Sequence, residues 1–199
     1  EVYVFSLCLC DNEVDRDQER FPEKTLEQLA PLFVGKSGLF DHSWSARGQA
    51  ARLYRTEVVR EPERLTQAGD GYCWLKGWAY MVRTPDNQGL IAEIEGGIKK
   101  EVSVGCAVKR AVCSICSTER GQDCGHKPGE VYDGARCFFQ LEEAVDAYEF
   151  SFVAVPAQRQ AGVVKKYGGE DNKPQPPAPK DDPEVQKALA LIALEEKRF

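Results

Sequence analysis

Histidine is nearly absent from this chain of 199 residues, which carries two, His42 and His126. Imidazole is the side chain that changes charge near neutral pH and acts most often as a general base. Two positions can therefore supply that chemistry. A basic excess is also missing: 26 Lys and Arg stand against 32 Asp and Glu, a net charge of −6. Phosphate backbones are held by clustered positive charge, so this balance excludes a nucleic-acid footprint. No apolar run approaches the roughly 20 residues of a membrane-spanning helix. Residues 1–10 alternate like a strand and lack the basic start of a secretory signal. The missing initiator Met leads us to expect that a short N-terminal piece was removed or left out. Against these absences, 42% hydrophobic and 29% charged residues describe an ordinary folded domain with a sizeable core.

The eight cysteines fall into two groups. Cys8, Cys10, Cys73 and Cys106 lie apart inside apolar segments and read as small buried hydrophobes. Without a secretory signal, a disulfide framework is not expected. Cys113, Cys116, Cys124 and His126 lie close together, with Cys137 following. A C-x2-C pair followed by C-x-H supplies three thiolates and one imidazole, the four tetrahedral ligands of a closed structural zinc site. Cys137 is a spare ligand able to replace His126. Four protein ligands leave no position for water, so the expected role of zinc is to stabilise the loop.

The pattern of apolar residues predicts strands at 2–10, 72–82, 100–112 and 147–155, with extended chain over 37–60. Helices are expected at 22–30, ended or kinked by Pro31, and from Asn87 to Gly96 or Gly97. Residues 11–20 read as a polar loop. It lacks the glycine and glutamate that a calcium loop needs at its sixth and twelfth positions. Residues 113–136 form an irregular cysteine-rich insert. The fold class expected is mainly β with flanking helices (α+β), closed or nearly closed as a barrel. The folded domain spans 1–167, with its metal-binding insert at 113–137. A proline-rich linker follows at 168–183 and a short amphipathic helix at 184–199.

One serine and one histidine then stand out. Ser103 lies in Lys-Glu-Val-Ser-Val-Gly-Cys (100–106), and His42 in Phe-Asp-His-Ser-Trp (40–44). A serine hydroxyl becomes a nucleophile when a base removes its proton, and a third, acidic group orients that base. Glu149 is the first choice for the acid, because it interrupts the apolar strand Tyr-Glu-Phe-Ser-Phe-Val-Ala-Val. Charge in such a strand is costly unless paired. Glu101, two residues before Ser103, and Asp41, next to His42, are the alternatives. Lys109 and Arg110 are candidates to orient a water or an oxyanion, or else a solvated basic pair.

These motifs, together with Ala161-Gly-Val-Val, resemble in order and separation those of phage prohead proteases, whose fold is similar to herpesvirus assemblin proteases. The resemblance covers residues 1–166. It implies a barrel-like herpesvirus-protease-type fold, His42 as base, Ser103 as nucleophile and, less directly, Glu149 as orienting acid. It also implies a serine endopeptidase of phage head maturation, cutting scaffold and major capsid proteins inside an assembling prohead in the bacterial host cytoplasm. Self-cleavage in the 168–183 linker and association into a homo-oligomer belong to the same expectation. The cysteine-rich insert departs from the family pattern. The rival reading is a non-enzymatic capsid assembly module that binds a coat or scaffold protein through its zinc loop and C-terminal helix. A zinc-ribbon nucleic-acid binder would suit the cysteines but not the acidic charge.

Overall fold

The computed structural model describes residues 1–164 of the chain. The linker and C-terminal helix expected at 168–183 and 184–199 lie outside the described residues. Residues Glu1–Lys165 form one compact unit. No helix among the described residues is long and apolar enough to cross a membrane.

The chain is mainly β with two helices. In order come β1 (Val2–Asp11), β2 (Glu19–Arg20), α1 (Glu23–Phe33), β3 (Ser37–Phe40), β4 (Ala51–Leu65) and β5 (Gly71–Val82). Then follow α2 (Gln88–Gly96), β6 (Val102–Cys113), a small hairpin β7 (Val131–Tyr132) and β8 (Ala135–Arg136), β9 (Phe139–Phe152) and β10 (Gly162–Val163). One sheet runs β10-β1-β5-β4-β3-β9, with β6 antiparallel and β2 parallel to β9. The α+β class expected from the pattern is therefore found.

The barrel is not closed. β6 and β10 meet at one isolated bridge, Glu101↔Gly162. Val163 N–H donates to Lys100 C=O at 2.8 Å there. β10 is two residues long, and the chain before it is irregular around Pro156, so no strand continues along β6 beyond the bridge. Past Val102, that edge of β6 faces a cavity rather than a strand.

The core gathers Leu7, Leu9, Leu26, Leu29, Phe33, Leu53, Leu75, Ile94, Val102 and Phe150. Helix α1 drives Leu26, Leu29 and Phe33 into it. This helix runs through Pro31, where the sequence led us to expect a stop or a kink, to Phe33. Proline costs a helix its i→i−4 bond and crowds the preceding turn. Here only the last turn lies beyond it, and complete burial of Phe33 holds that turn in place. Helix α2 ends as expected, with Gly97 in the left-handed region at φ 78°, which glycine enters without a Cβ clash.

Strand β9 is longer at its start than its composition suggested, and it stops at Phe152 rather than at residue 155. It carries two bulges. Ala107 pairs with Asp146 but Val108 with Ala144, which leaves Val145 extra. Gly105 pairs with Glu149 but Cys106 with Ala147, which leaves Tyr148 extra. Each extra residue inverts the in–out alternation of those that follow. Ala147, Phe150 and Phe152 consequently all join the core, while Glu149 and Ser151 turn to the opposite face.

A candidate catalytic dyad beside a serine, and a cysteine–histidine cluster

His42 is held just past the end of β3. Asp41 and His42 both have left-handed backbones, at φ 50° and 53°, each costing about 1 kcal/mol for a residue with a Cβ. The turn is tied down by its neighbours. Asp41 N–H donates to Phe152 C=O at 3.0 Å, and Ser43 N–H to Phe40 C=O at 2.9 Å. His42 N–H donates to Ser151 Oγ at 3.1 Å. The strained pair therefore sets where the imidazole points.

It points at Glu149. His42 Nδ1 lies 2.7 Å from Glu149 Oε1, and Ser151 Oγ donates to Glu149 Oε2 at 2.6 Å. Glu149 is 2% exposed and Ser151 fully buried. A buried carboxylate is tolerable only when its oxygens are bonded, and both are. A neutral imidazole that donates Nδ1–H to this carboxylate keeps the lone pair on its other nitrogen, Nε2. Of the three acids considered, Glu149 contacts His42. Glu101 instead lies at the bridge to Gly162, and Asp41 is exposed.

Ser103 is one strand away. It pairs directly with Ser151 across the β6–β9 ladder, so their Cβ atoms stand about 5 Å apart on one face. Glu149, two residues before Ser151, shares that face. Among the described residues, no hydrogen bond joins Ser103 Oγ to His42. Gly105 occupies the position opposite Glu149. A Cβ there would lie 2.6 Å from Glu149 Oε1. The glycine two residues after Ser103 thus makes the space that the buried carboxylate fills.

Ser151 was not singled out from the sequence, yet it connects the backbone of His42 to the carboxylate of Glu149. A small polar residue two places from the charged one, in an otherwise apolar strand, was the available signal. Lys109 and Arg110 do not approach this site. Lys109 pairs with Glu143 at 3.1 Å and Arg110 with Glu119 at 2.9 Å, so they are the solvated basic pair. Cys106 packs against the core, and burial pushes its thiol up to about 11.

Ser103 also lines a cavity of about 330 Å³ along the open edge of β6. Its walls include Leu9, Phe21 and Leu141, the loop residues Asp15, Asp17 and Glu19, and Gln158. The two loops forming the far wall are fastened together. Gln158 accepts from Asp11 N–H at 2.6 Å and donates to Asp11 C=O at 3.0 Å. Arg16 donates from Nη1 to Pro156 C=O at 2.9 Å.

The insert brings together the residues that its spacing selected. One donor atom from each of Cys113, Cys116, Cys124 and His126 lies within 4.8 Å of the others, so this cluster can hold a metal ion. His126 Nδ1 is buried without a hydrogen-bond partner, as expected of a nitrogen reserved for a ligand. Burial raises the Cys113 thiol, but the backbone N–H groups of Cys116 and Ile115, together with the Cys137 and Cys116 thiols, outweigh that and hold it below the usual value. Those bonds favour the thiolate, the metal-binding form. Cys137 is also adjacent, its Sγ 3.7 Å from that of Cys113. Burial first, then the neighbouring Cys113, pushes its thiol up to about 11. All eight cysteines are free thiols. Residues 11–20, by contrast, contribute no convergent set of metal donors among the described residues.

Comparison with known protein families, with characterised proteins and with solved structures returns no match.

Proposed function

We propose that this chain is a serine endopeptidase of the phage prohead type, with a herpesvirus-protease-like fold and a structural zinc loop. The observation that carries the reading is the buried Glu149 gripping Nδ1 of His42, one strand from Ser103. A solvated acid would do little for a histidine. A desolvated one fixes the tautomer that leaves Nε2 basic and stabilises the imidazolium once it forms.

In the proposed reaction, Ser103 Oγ attacks a peptide carbonyl carbon while His42 Nε2 takes the hydroxyl proton. The tetrahedral intermediate expels the amine, to which His42 returns that proton. Water then attacks the acyl ester with His42 again as base, releasing the acid and restoring the serine. In the apo chain, Ser103 and His42 lack a direct hydrogen bond; such contacts often tighten only when substrate is present. The substrates proposed are scaffold and major capsid proteins, cut within an assembling prohead in the bacterial cytoplasm, with self-association of the enzyme.

The ion proposed for the insert is zinc, bound by Cys113, Cys116, Cys124 and His126, because three soft thiolates and an imidazole suit it best. With four protein ligands, its role there is to hold the loop together.

A fluorophosphonate serine probe tests the enzyme. Labelling confined to Ser103, and lost in Ser103→Ala, is the expected result. A folded protein that no such probe labels would leave the non-enzymatic assembly module as the better account.

A further inference from the structure

The cavity beside Ser103 has an unusual lining. Its apolar part includes Leu9, Phe21 and Leu141, and its polar part carries the acids Asp15, Asp17 and Glu19 beside Ser103 and Gln158. Asp15 is 8% exposed, and its Oδ1 accepts from the backbone N–H groups of Asp17 and Glu19 at 2.9 and 2.8 Å. Its second oxygen, Oδ2, takes no hydrogen bond among the described residues. The Asp17 carboxylate has no ion-pair partner among them either, whereas Glu19 is paired with Arg120. Nearby Arg16 is turned away toward Pro156. Two carboxylates, one of them mostly desolvated, therefore lack a cation.

The adjacent edge of β6 is open as well. Val102 N–H and Lys100 C=O point outward, to Ala161 C=O and Val163 N–H. Strand alternation then directs the N–H and C=O of Val104 the same way, into the cavity. An extended chain can use such unpaired groups. A side chain with an apolar stem and a cationic head matches the lining: the stem covers Leu9, Phe21 and Leu141 while the head reaches the acids.

We propose that Asp15 and Asp17 select a lysine or arginine side chain on an extended peptide lying along β6 beside Ser103. This rests on the endopeptidase reading for its substrate, a peptide, and adds the residue class that the cavity recognises. Each acid is a specificity determinant that takes no part in bond breaking.

The test uses the full chain carrying Ser103→Ala, so that peptides bind without being cut. Fluorescent peptides identical except for one position, bearing lysine, arginine, glutamine or norleucine, are compared by anisotropy. Lysine and arginine peptides are expected to bind about tenfold tighter than the norleucine peptide, the scale of one charge-assisted hydrogen bond. Added salt should weaken that preference. Asp17→Asn, at an exposed position, should reduce the preference, and Asp15→Asn with Asp17→Asn should remove it. Equal affinity for lysine and norleucine peptides, no binding of any of them, or a preference that survives both substitutions overturns the proposal. Labelling of the wild-type chain at Ser103 separates the two readings. A basic preference without labelling removes the endopeptidase and keeps the cation-selective cavity; labelling without a preference does the reverse.

Discussion

The carboxylate of Glu149 bonds to the His42 ring through one oxygen, at 2.7 Å, and to the Ser151 hydroxyl through the other, at 2.6 Å. Ser151 in turn accepts the backbone N–H of His42. The ring is thus held at both its side chain and its backbone by one strand, β9, which also pairs with the strand bearing Ser103.

Ser103→Ala should abolish fluorophosphonate labelling and peptide cleavage while leaving the melting temperature within a few degrees of wild type. The hydroxyl makes no hydrogen bond in the described structure, so its removal strands no partner, and such changes stay near 0.5 kcal/mol. Labelling measured beside a thermal melt separates lost chemistry from lost folding.

Ser151→Ala should be costlier to the fold than Ser103→Ala, by about 1–3 kcal/mol in a urea titration. It leaves a buried carboxylate oxygen and the His42 N–H without partners. Labelling at Ser103 should also slow, because the imidazole loses its backbone anchor. An unchanged urea midpoint would count against the hydrogen-bonded chain described above.

Gly105→Ala tests the fit between the nucleophile strand and the acid. The added methyl group would lie 2.6 Å from Glu149 Oε1, and the carboxylate must leave His42 to admit it. The expected outcome is a loss of labelling of tenfold or more (about 1.4 kcal/mol in activation energy), with the protein still folded by circular dichroism.

Burial raises the Asp15 carboxyl from its ordinary 3.8 to about 6, against the opposing backbone N–H groups of Glu19 and Asp17. The folded state therefore holds this proton more tightly than the unfolded chain. The resulting stability is fully present below about pH 4 and is lost as pH rises through about 6. Asp15→Asn keeps the acceptor oxygen without the charge. It should be more stable than wild type at pH 7–8, by roughly 1–2 kcal/mol, with the difference gone at pH 4. Thermal melts across that range measure it.

Chelation should loosen the insert. Protein purified without chelators is expected to release about one zinc per chain on thiol modification, and prolonged EDTA treatment should lower its melting temperature. Cys124→Ala should reproduce that loss of stability without abolishing labelling at Ser103, since the ligands do not contact His42 or Glu149. Metal analysis showing no zinc would remove the site.

The main strands, the two helices, and His42, Ser103, Glu149 and the cysteine-cluster residues were picked out from residue patterns; the first half of β9 and Ser151 were not. β-rich runs, the Gly97 stop and the C-x2-C spacing are local signals, set by neighbours a few residues apart. The helix continues past Pro31 because its last turn is held by Phe33, packed in a core built from distant strands. The barrel remained open because β10 is too short to pair beyond Gly162, and pairing length is decided between segments far apart in the chain.

The sequence by itself determined which groups were available: two imidazoles, a cysteine-rich loop, and an acid inside an apolar strand. Only the tertiary structure decided that Glu149 turns to His42, that Ser151 joins them, and that Asp15 and Asp17 share a cavity with Ser103. The physical reason is that His42 beyond β3, Glu149 and Ser151 on β9, Ser103 on β6 and the acids of the 11–20 loop lie far apart in the chain, so only strand pairing and its register bring them together.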